Sequence, residues 1–521
     1  MRITNKMMNN NTLRNINSNK EYLDKLNNQM ASGKKIVRPS DDPVTAIRAL
    51  KLRSNLSEIT QYYDRNTNDA NAWLQATQDA VESTKEILTS MKSKFTTGAT
   101  GTNTVESRNA ILSELQALAK QIYDDGNADY AGRSLFTGYR TSTDLVVQDE
   151  DLKGNTFAYK GITETFSKAD MDQVTHISGK LTSDQVTNAD GSVKMQDVDS
   201  AEVSRLRLAY DDLDPGTVPT IEIYRYYEKG EAGYDPDDPY KKNVLDTIAA
   251  QSITYDPSTM TYDEYLDQVY NPGDDQVYFI PQTGELILGK NVADSISKKE
   301  PDDKIEVSYD KSTWKQGDLR PEHYFDCRLY TDDAPGGITF DSHDDAINYD
   351  ISTNQQMQIN TFASELYVHG IGRDIEELTI AIEECNNADA KVSKLEAKLA
   401  DPTLSAADRA DVQKTFDAAN KEKDLVNDRL QRMFEHGLTT FSSYIEKATL
   451  AGTTVGTRIE RMDLVKNRLL DLKTTAMELA DKNENVEITD VVIDVNEAEM
   501  NYNAALMATG KISQQNLLNY I

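Results

Sequence analysis

Leu52, Leu56, Ile59, Tyr63, Asn66, Ala70, Trp73, Thr77, Ala80, Thr84, Ile87 and Met91 stand at alternating steps of four and three, and nine of the twelve are apolar or aromatic. Side chains so spaced share one stripe of a helix, the seam of a coiled coil. The spacing predicts a helix from about Val44 to Phe95, roughly 80 Å long at 1.5 Å per residue. A globular domain seldom needs that reach, so the fold must contain long helices that pack along their length. Asn66, Thr77 and Thr84 weaken the seam and are expected to help fix its register.

The pattern recurs along the chain. Val105, Arg108, Leu112, Leu115, Ala119 and Ile122 follow at helical spacing, and near the other end come Val455, Arg458, Met462, Val465, Leu469, Leu472, Ala476 and Leu479. Val491, Val495, Ala498, Tyr502, Ala505, Thr509 and Ile512 repeat it once more. One stripe cannot bury itself. The expected fold class is therefore mostly α, an elongated bundle of long coiled-coil-like helices formed by both termini.

The middle differs. Ten of the 13 prolines fall between Pro215 and Pro335, and 16 of the 26 tyrosines fall in residues 141–350. Short β-branched or aromatic runs, IEIYRYY (221–227), VYFI (277–280), ELIL (285–288) and IEVSY (305–309), are separated by turn signals such as DPG and NPGDD. VYFIPQTGELIL is a candidate hairpin with Gly284 supplying a positive backbone angle. These runs predict an inserted β-rich domain of unknown strand order. The domains expected are 1–140, the N-terminal half of the helical bundle; 141–350, an acidic β-rich outer domain; and 351–521, the C-terminal half. Residues 386–436, broken at DPTLS, are expected as a helical hairpin insertion.

Between two such helices lies SGKKIVRPSDDP (32–43). Gly33 follows Leu23, Leu26 and Met30, where a left-handed C-terminal cap belongs. Pro39 forbids simple continuation, and Asp42-Pro43 fits an N-cap followed by proline at the first helical position. The run reads as a helix corner built on Gly33, Pro39, Asp42 and Pro43. It is not a phosphate loop, because the glycine spacing of that motif is absent. Lys34, Lys35 and Arg38 form a basic patch, expected either to be solvated or to pair with acids of a neighbouring subunit.

Charge excludes several classes. With 56 basic and 87 acidic residues the formal charge is -31, which argues against nucleic acid and against anionic membrane as partners. No apolar run approaches 18 residues, so no membrane insertion is expected. The beginning of the chain lacks the apolar core of a secretory signal, which leaves a cytosolic protein or one exported by a route that reads no such signal. Cys327 and Cys385 are expected as free thiols.

Chemistry-bearing constellations are not found. His176, His323, His343, His369 and His436 are scattered. His323 and Cys327 stand four apart, but in a stretch that reads as strand or loop; HDD (343–345) and DPDDP (235–239) read as acidic turns. No nucleophile elbow or nucleotide loop occurs. No catalytic residue, cofactor or metal is expected, and the chain is read as a non-enzyme.

Several motifs carry a family resemblance. SGKKIVRPSDDPVTAIRALKLRSNL, NDANAWLQATQDAV and NADYAGRSLFTGYRT resemble the N-terminal region of flagellin-like proteins, and VGTRIERMDLVKNRL with NYNAALMATGKISQQNLLNYI resembles their C-terminal region. Together they cover roughly residues 1–141 and 440–521. RPSDDP and AGRSLFTGYRT are similar to the hook-associated, hook–filament junction (FlgL) branch, whereas filament flagellins usually carry GDDAA and NTTEFNG near those points. LLNY here replaces the usual LLDY, and 386–436 is longer than the family leads one to expect.

The resemblance implies a structural subunit of the bacterial flagellum, outside the cell after type III export without a cleaved signal. It implies as partners other copies of the chain, a neighbouring hook-associated protein, flagellin and, before secretion, an export chaperone. Two other readings stay open: a filament-forming flagellin with a surface-exposed domain, and an enzyme or ligand-binding β domain on a flagellar anchor. The expected assembly interface is Ile3, Met7, Leu13, Ile16, Leu23, Leu26 and Met30 at one end, with Tyr502, Leu506, Ile512, Leu517, Leu518 and Ile521 at the other. These ends are expected to be mobile until assembly supplies them a partner.

Overall fold

A computed structural model describes residues 5–100, 103–153, 157–227, 241–253, 255–332, 334–341 and 346–514. Among them are seven long helices: α1 (Asn5–Ser32), α2 (Pro43–Gln61), α3 (Thr67–Gly98), α4 (Val105–Gly126), α5 (Gly370–Leu399), α6 (Ala406–Glu484) and α7 (Ile488–Gln514). The chain is mostly helical, with long helices towards both ends and a β-rich region inserted between Asp129 and Gln358.

The helix expected from about Val44 to Phe95 is present, running from Pro43 to Gly98 with one irregularity. A π-helical turn, Tyr62–Asn66, separates α2 from α3, and Thr67 N–H reaches back five residues to Tyr62 O. The extra residue turns Asn66 aside, so that its amide donates to Asp350 O at 2.8 Å. Beyond the turn the seam is closed: Ala70, Trp73, Thr77, Ala80, Thr84, Ile87 and Met91 are all buried, whereas Leu52, Leu56, Ile59 and Tyr63 are only half-buried. Thr77 and Thr84 satisfy their hydroxyls on Trp73 O and Ala80 O.

Two compact units divide the chain, one of Met1–Ala72, Asn348–Gln358 and Arg458–Ile521, the other of Trp73–Ile347 and Ile359–Thr457. The partition at 140 and 350 followed element type. Contacts divide the chain elsewhere: α3 from Trp73 on, α4, α5 and α6 as far as Thr457 fall in the same unit as the two large sheets.

That second unit holds a six-stranded antiparallel sheet in the order 334–340, 326–331, 157–166, 304–311, 220–225, 243–249. A five-stranded sheet runs 171–178, 199–207, 285–288, 277–280, 251–252, with only the last pair parallel. Ile162, Ile221, Ile223, Val307 and Tyr309 from the first sheet and Leu206, Phe279 and Leu286 from the second fill one buried cluster. In the hairpin 277–288, Ile280 opposes Glu285 and Gly284 has φ +61°; a Cβ there would collide with Tyr210 O.

α5 and α6 run antiparallel on either side of the DPTLS break, where Arg409 donates to Leu399 O and Asp401 O. Glu384–Arg429, Asp389–Lys423 and Lys391–Glu422 ion pairs line their contact. Arg205 and Arg207, on the strand Asp199–Arg207, reach Glu377 and Asp374 of α5, which ties the helices to the five-stranded sheet.

Candidate assembly interface

The corner at 32–43 belongs to the first unit. Gly33 has φ +67° and donates to Gln29 O at 2.8 Å, closing α1. Asp42 is the N-cap of α2, accepting from Val44 N–H, Thr45 N–H and the Thr45 hydroxyl, with Pro43 next in the first helical position. Those hydrogen bonds, led by the Thr45 hydroxyl, hold the Asp42 carboxyl below its usual range.

A second corner, between α6 and α7, is stitched to the first. Lys35 N–H donates to Glu484 O at 2.7 Å and Val486 N–H to Gly33 O at 3.0 Å. Arg53 Nε meets Glu484 Oε1 at 2.6 Å, and that bond is the main reason the Glu484 carboxyl sits below its usual range. Lys34 also reaches Glu484, at 3.5 Å, while the Lys35 ammonium caps the end of α6 at Lys482 O. Both lysines thus have partners inside the chain that the sequence reading did not foresee, while Lys35 stays exposed to solvent. Nothing in the sequence could join positions some 450 residues apart.

α1 and α7 pair antiparallel. Leu26 is buried with Val491, Val495 and Ala498, and Leu23 and Val486 pack against them. Ile16 and Tyr502 are half-buried further along the same seam. The structure thus brings Leu23 and Leu26 onto α7. It turns Met7, Leu13, Met30 and Leu506 outward, each more than two-fifths exposed. Ile3, Leu517, Leu518, Ile521 and the side chain of Ile512 lie outside the described residues.

Sequence reasoning missed a second stripe. Ile493, Met500 and Met507, seven residues apart, are 61 %, 68 % and 71 % exposed on the side of α7 opposite its seam. Their heptad spacing was a readable signal, hidden behind the stronger seam of 491–512. The same unit exposes Val44, Ile47 and Leu50 on α2 and Leu464, Met477 and Leu479 on α6. A two-helix pair covers only one stripe of each partner, so these faces remain open for want of a third helix.

Some polar groups elsewhere have partners inside the chain, while others, such as His323 Nε2 and the Tyr265 hydroxyl, have none among the described residues. His176 meets Asp267 at 2.7 Å, and His369, held near 3 by burial and then by Arg373, bonds the Tyr210 hydroxyl. Cys327 and Cys385 are free and buried, each thiol pushed up to about 12 by burial. His343 lies outside the described residues, and among those described no group of three or more His, Cys, Asp or Glu is placed to hold a metal ion. A cavity of about 280 Å³ in the second unit is lined by Tyr123, Tyr210, Lys315, Asp318, His369 and Arg373. Two of its cations are already paired, Lys315 with Asp211 and Asp212, and Arg373 with Glu376.

Comparison with known proteins bears on the paired ends. Residues 3–141 match the bacterial flagellin N-terminal helical region. The chain resembles hook–filament junction proteins of the flagellin-like family. Flagellar hook-associated protein 3 of Escherichia coli is 30 % identical over 145 residues, 27 % of this chain and 45 % of that protein. A flagellin of Clostridium tyrobutyricum is 28 % identical over 169 residues, 32 % of this chain and 45 % of its own length. The chain thus spans about half the length of the curated relatives it matches. The match to a solved flagellar hook associated protein-3 from Legionella pneumophila covers 82 % of this chain and 97 % of that one at 11 % identity. Its TM-score of 0.28 is too low to argue from.

Proposed function

We propose that this protein is a structural subunit of the bacterial flagellum, an adaptor that joins hook to filament through packing of its terminal helices with neighbouring subunits. The observation that carries the reading is the outward apolar surface of the α1–α7 pair, in a region that resembles hook-associated proteins. Burying each large apolar side chain stabilises by roughly 1.5–3 kcal/mol, so a neighbour laid along these helices supplies what the monomer lacks. The partners are other copies of the chain, a neighbouring hook-associated protein and flagellin, with an export chaperone beforehand. The assembled subunit lies outside the cell, on the flagellum. It acts as a scaffold and not as an enzyme. Residues 141–350 supply the acidic, β-rich outer domain, and 386–436 is a helical hairpin inserted into the C-terminal half.

Two measurements test this. Removing residues 1–30 together with 500–521 is expected to stop filament growth while hooks remain; normal filaments on such cells sink the proposal. Immunogold labelling should place the protein at purified hook–filament boundaries. The likeness to a flagellin favours a second reading, a filament-forming subunit with an exposed outer domain. Label along the whole filament would support that one.

A further inference from the structure

Charge is segregated between the two terminal helices in a way that their pairing does not use. Residues 1–20 contain no acid, and residues 483–510 contain no base. α1 carries Lys6, Arg14, Lys20 and Lys25 against Glu21 and Asp24, whereas α7 carries Asp490, Asp494, Glu497 and Glu499 against Lys511. These four bases and four acids are all exposed, and among the described residues no ion pair joins α1 to α7.

The antiparallel arrangement explains the mismatch. Leu26 packs at the level of Val491 to Ala498, so the acids of α7 sit beside the end of α1. Arg14 and Lys6 lie twelve and twenty residues back from Leu26. That is about 18 and 30 Å along the axis. At that level α7 offers only Lys511, a like charge. Meanwhile Asp490, Asp494 and Glu497 share one flank of α7 at spacings where like charges repel. Next to that flank runs the exposed stripe Ile493, Met500 and Met507. The outward side of α1 has the complementary make-up, Met7 and Leu13 among Lys6, Arg14 and Lys20.

The geometry points to a staggered, head-to-tail contact between two copies of this chain. In it the acid-flanked outer stripe of α7 in one copy lies against the base-flanked outer side of α1 in the next. This rests on the assembly reading above and adds the register. The two patches differ, so the contact is heterologous and can repeat from copy to copy. Its charges are exposed, so they fix offset and encounter rate and weaken with salt.

Sedimentation velocity on the full chain tests it. Unaltered protein is expected to self-associate more strongly at low salt than at high salt. One variant carries Lys6→Glu, Arg14→Glu and Lys20→Glu; the other carries Asp490→Lys, Asp494→Lys and Glu497→Lys. Each alone is expected to lose roughly tenfold or more in association, because like charges now face each other at every contact. An equimolar mixture should recover to within about threefold of the unaltered chain, since alternating copies restore opposite charges on both sides of each contact. Matched circular dichroism checks that the variants fold, and the salt dependence of the unaltered chain needs no variant. A mixture no better than its components, or association indifferent to salt, overturns this contact alone. A chain that stays monomeric at every concentration overturns the contact and the self-assembly beneath it.

Discussion

Gly33, at φ +67° with no atom within 4 Å of where a Cβ would stand, isolates backbone cost from packing. Gly33→Ala should destabilise the first unit by about 1 kcal/mol through the left-handed angle alone, read as a lower urea midpoint for α1 and α7. Leu26→Ala should cost more, about 2 kcal/mol or above, because it empties the centre of a small buried cluster. In the second unit Glu164 is buried and accepts from Ala209 N–H and the Tyr309 hydroxyl. Burial outweighs those bonds and pushes its carboxyl up to about 7. A raised carboxyl favours folding while protonated, so its contribution is full below the ordinary glutamate range and is lost as pH rises through about 7. Glu164→Gln should therefore flatten the pH dependence of the second unit's unfolding between about 4.5 and 7, measured as the difference between variant and parent. The corner residues could be read from local chemistry. Glu164 could not, since burial depends on sheets that only the folded chain brings together.

Helix seams were legible because a heptad repeat is a property of consecutive residues. The π turn was not. It depends on the hairpin 348–358, whose Asp350 O receives the Asn66 amide and whose Tyr349 hydroxyl bonds Asp69 at 2.5 Å. The neighbouring Asp64 is paired with Lys473 of α6 at 2.9 Å. Strand order was equally beyond reach, because long loops let 157–166 take a central place between 326–331 and 304–311. Where helices cross closely, small residues betray it after the fact. A Cβ on Gly437 would strike the Phe95 ring, so Gly437→Ala should destabilise the second unit by about 1–3 kcal/mol in thermal unfolding. The link between α5 and the five-stranded sheet is ionic. Burial alone would raise the Glu377 carboxyl, but Arg205 and Arg207 outweigh it and hold it well below the carboxylate range.

At the scale of the whole chain the two units differ in how they are held. The second encloses a broad core with Tyr159, Phe279, Tyr309 and Ile223 fully buried, while the α1–α7 pair of the first buries Leu26, Val491, Val495 and Ala498. Unfolding is expected in two steps, the first unit melting well before the second, and hydrogen exchange should protect the strands far longer than α1 and α7. A single cooperative transition would contradict that ranking. Long terminal helices, the inserted β region, the corner at Gly33 and the absence of a membrane-spanning run were set by the sequence itself, because periodicity, turn residues and charge act over a few neighbouring positions. Which stripe of each terminal helix is covered, that Lys34 and Lys35 serve Glu484 and the end of α6, and how the strands are ordered were decided only by tertiary structure. Those outcomes turn on contacts between residues hundreds of positions apart, where local chemistry has no say.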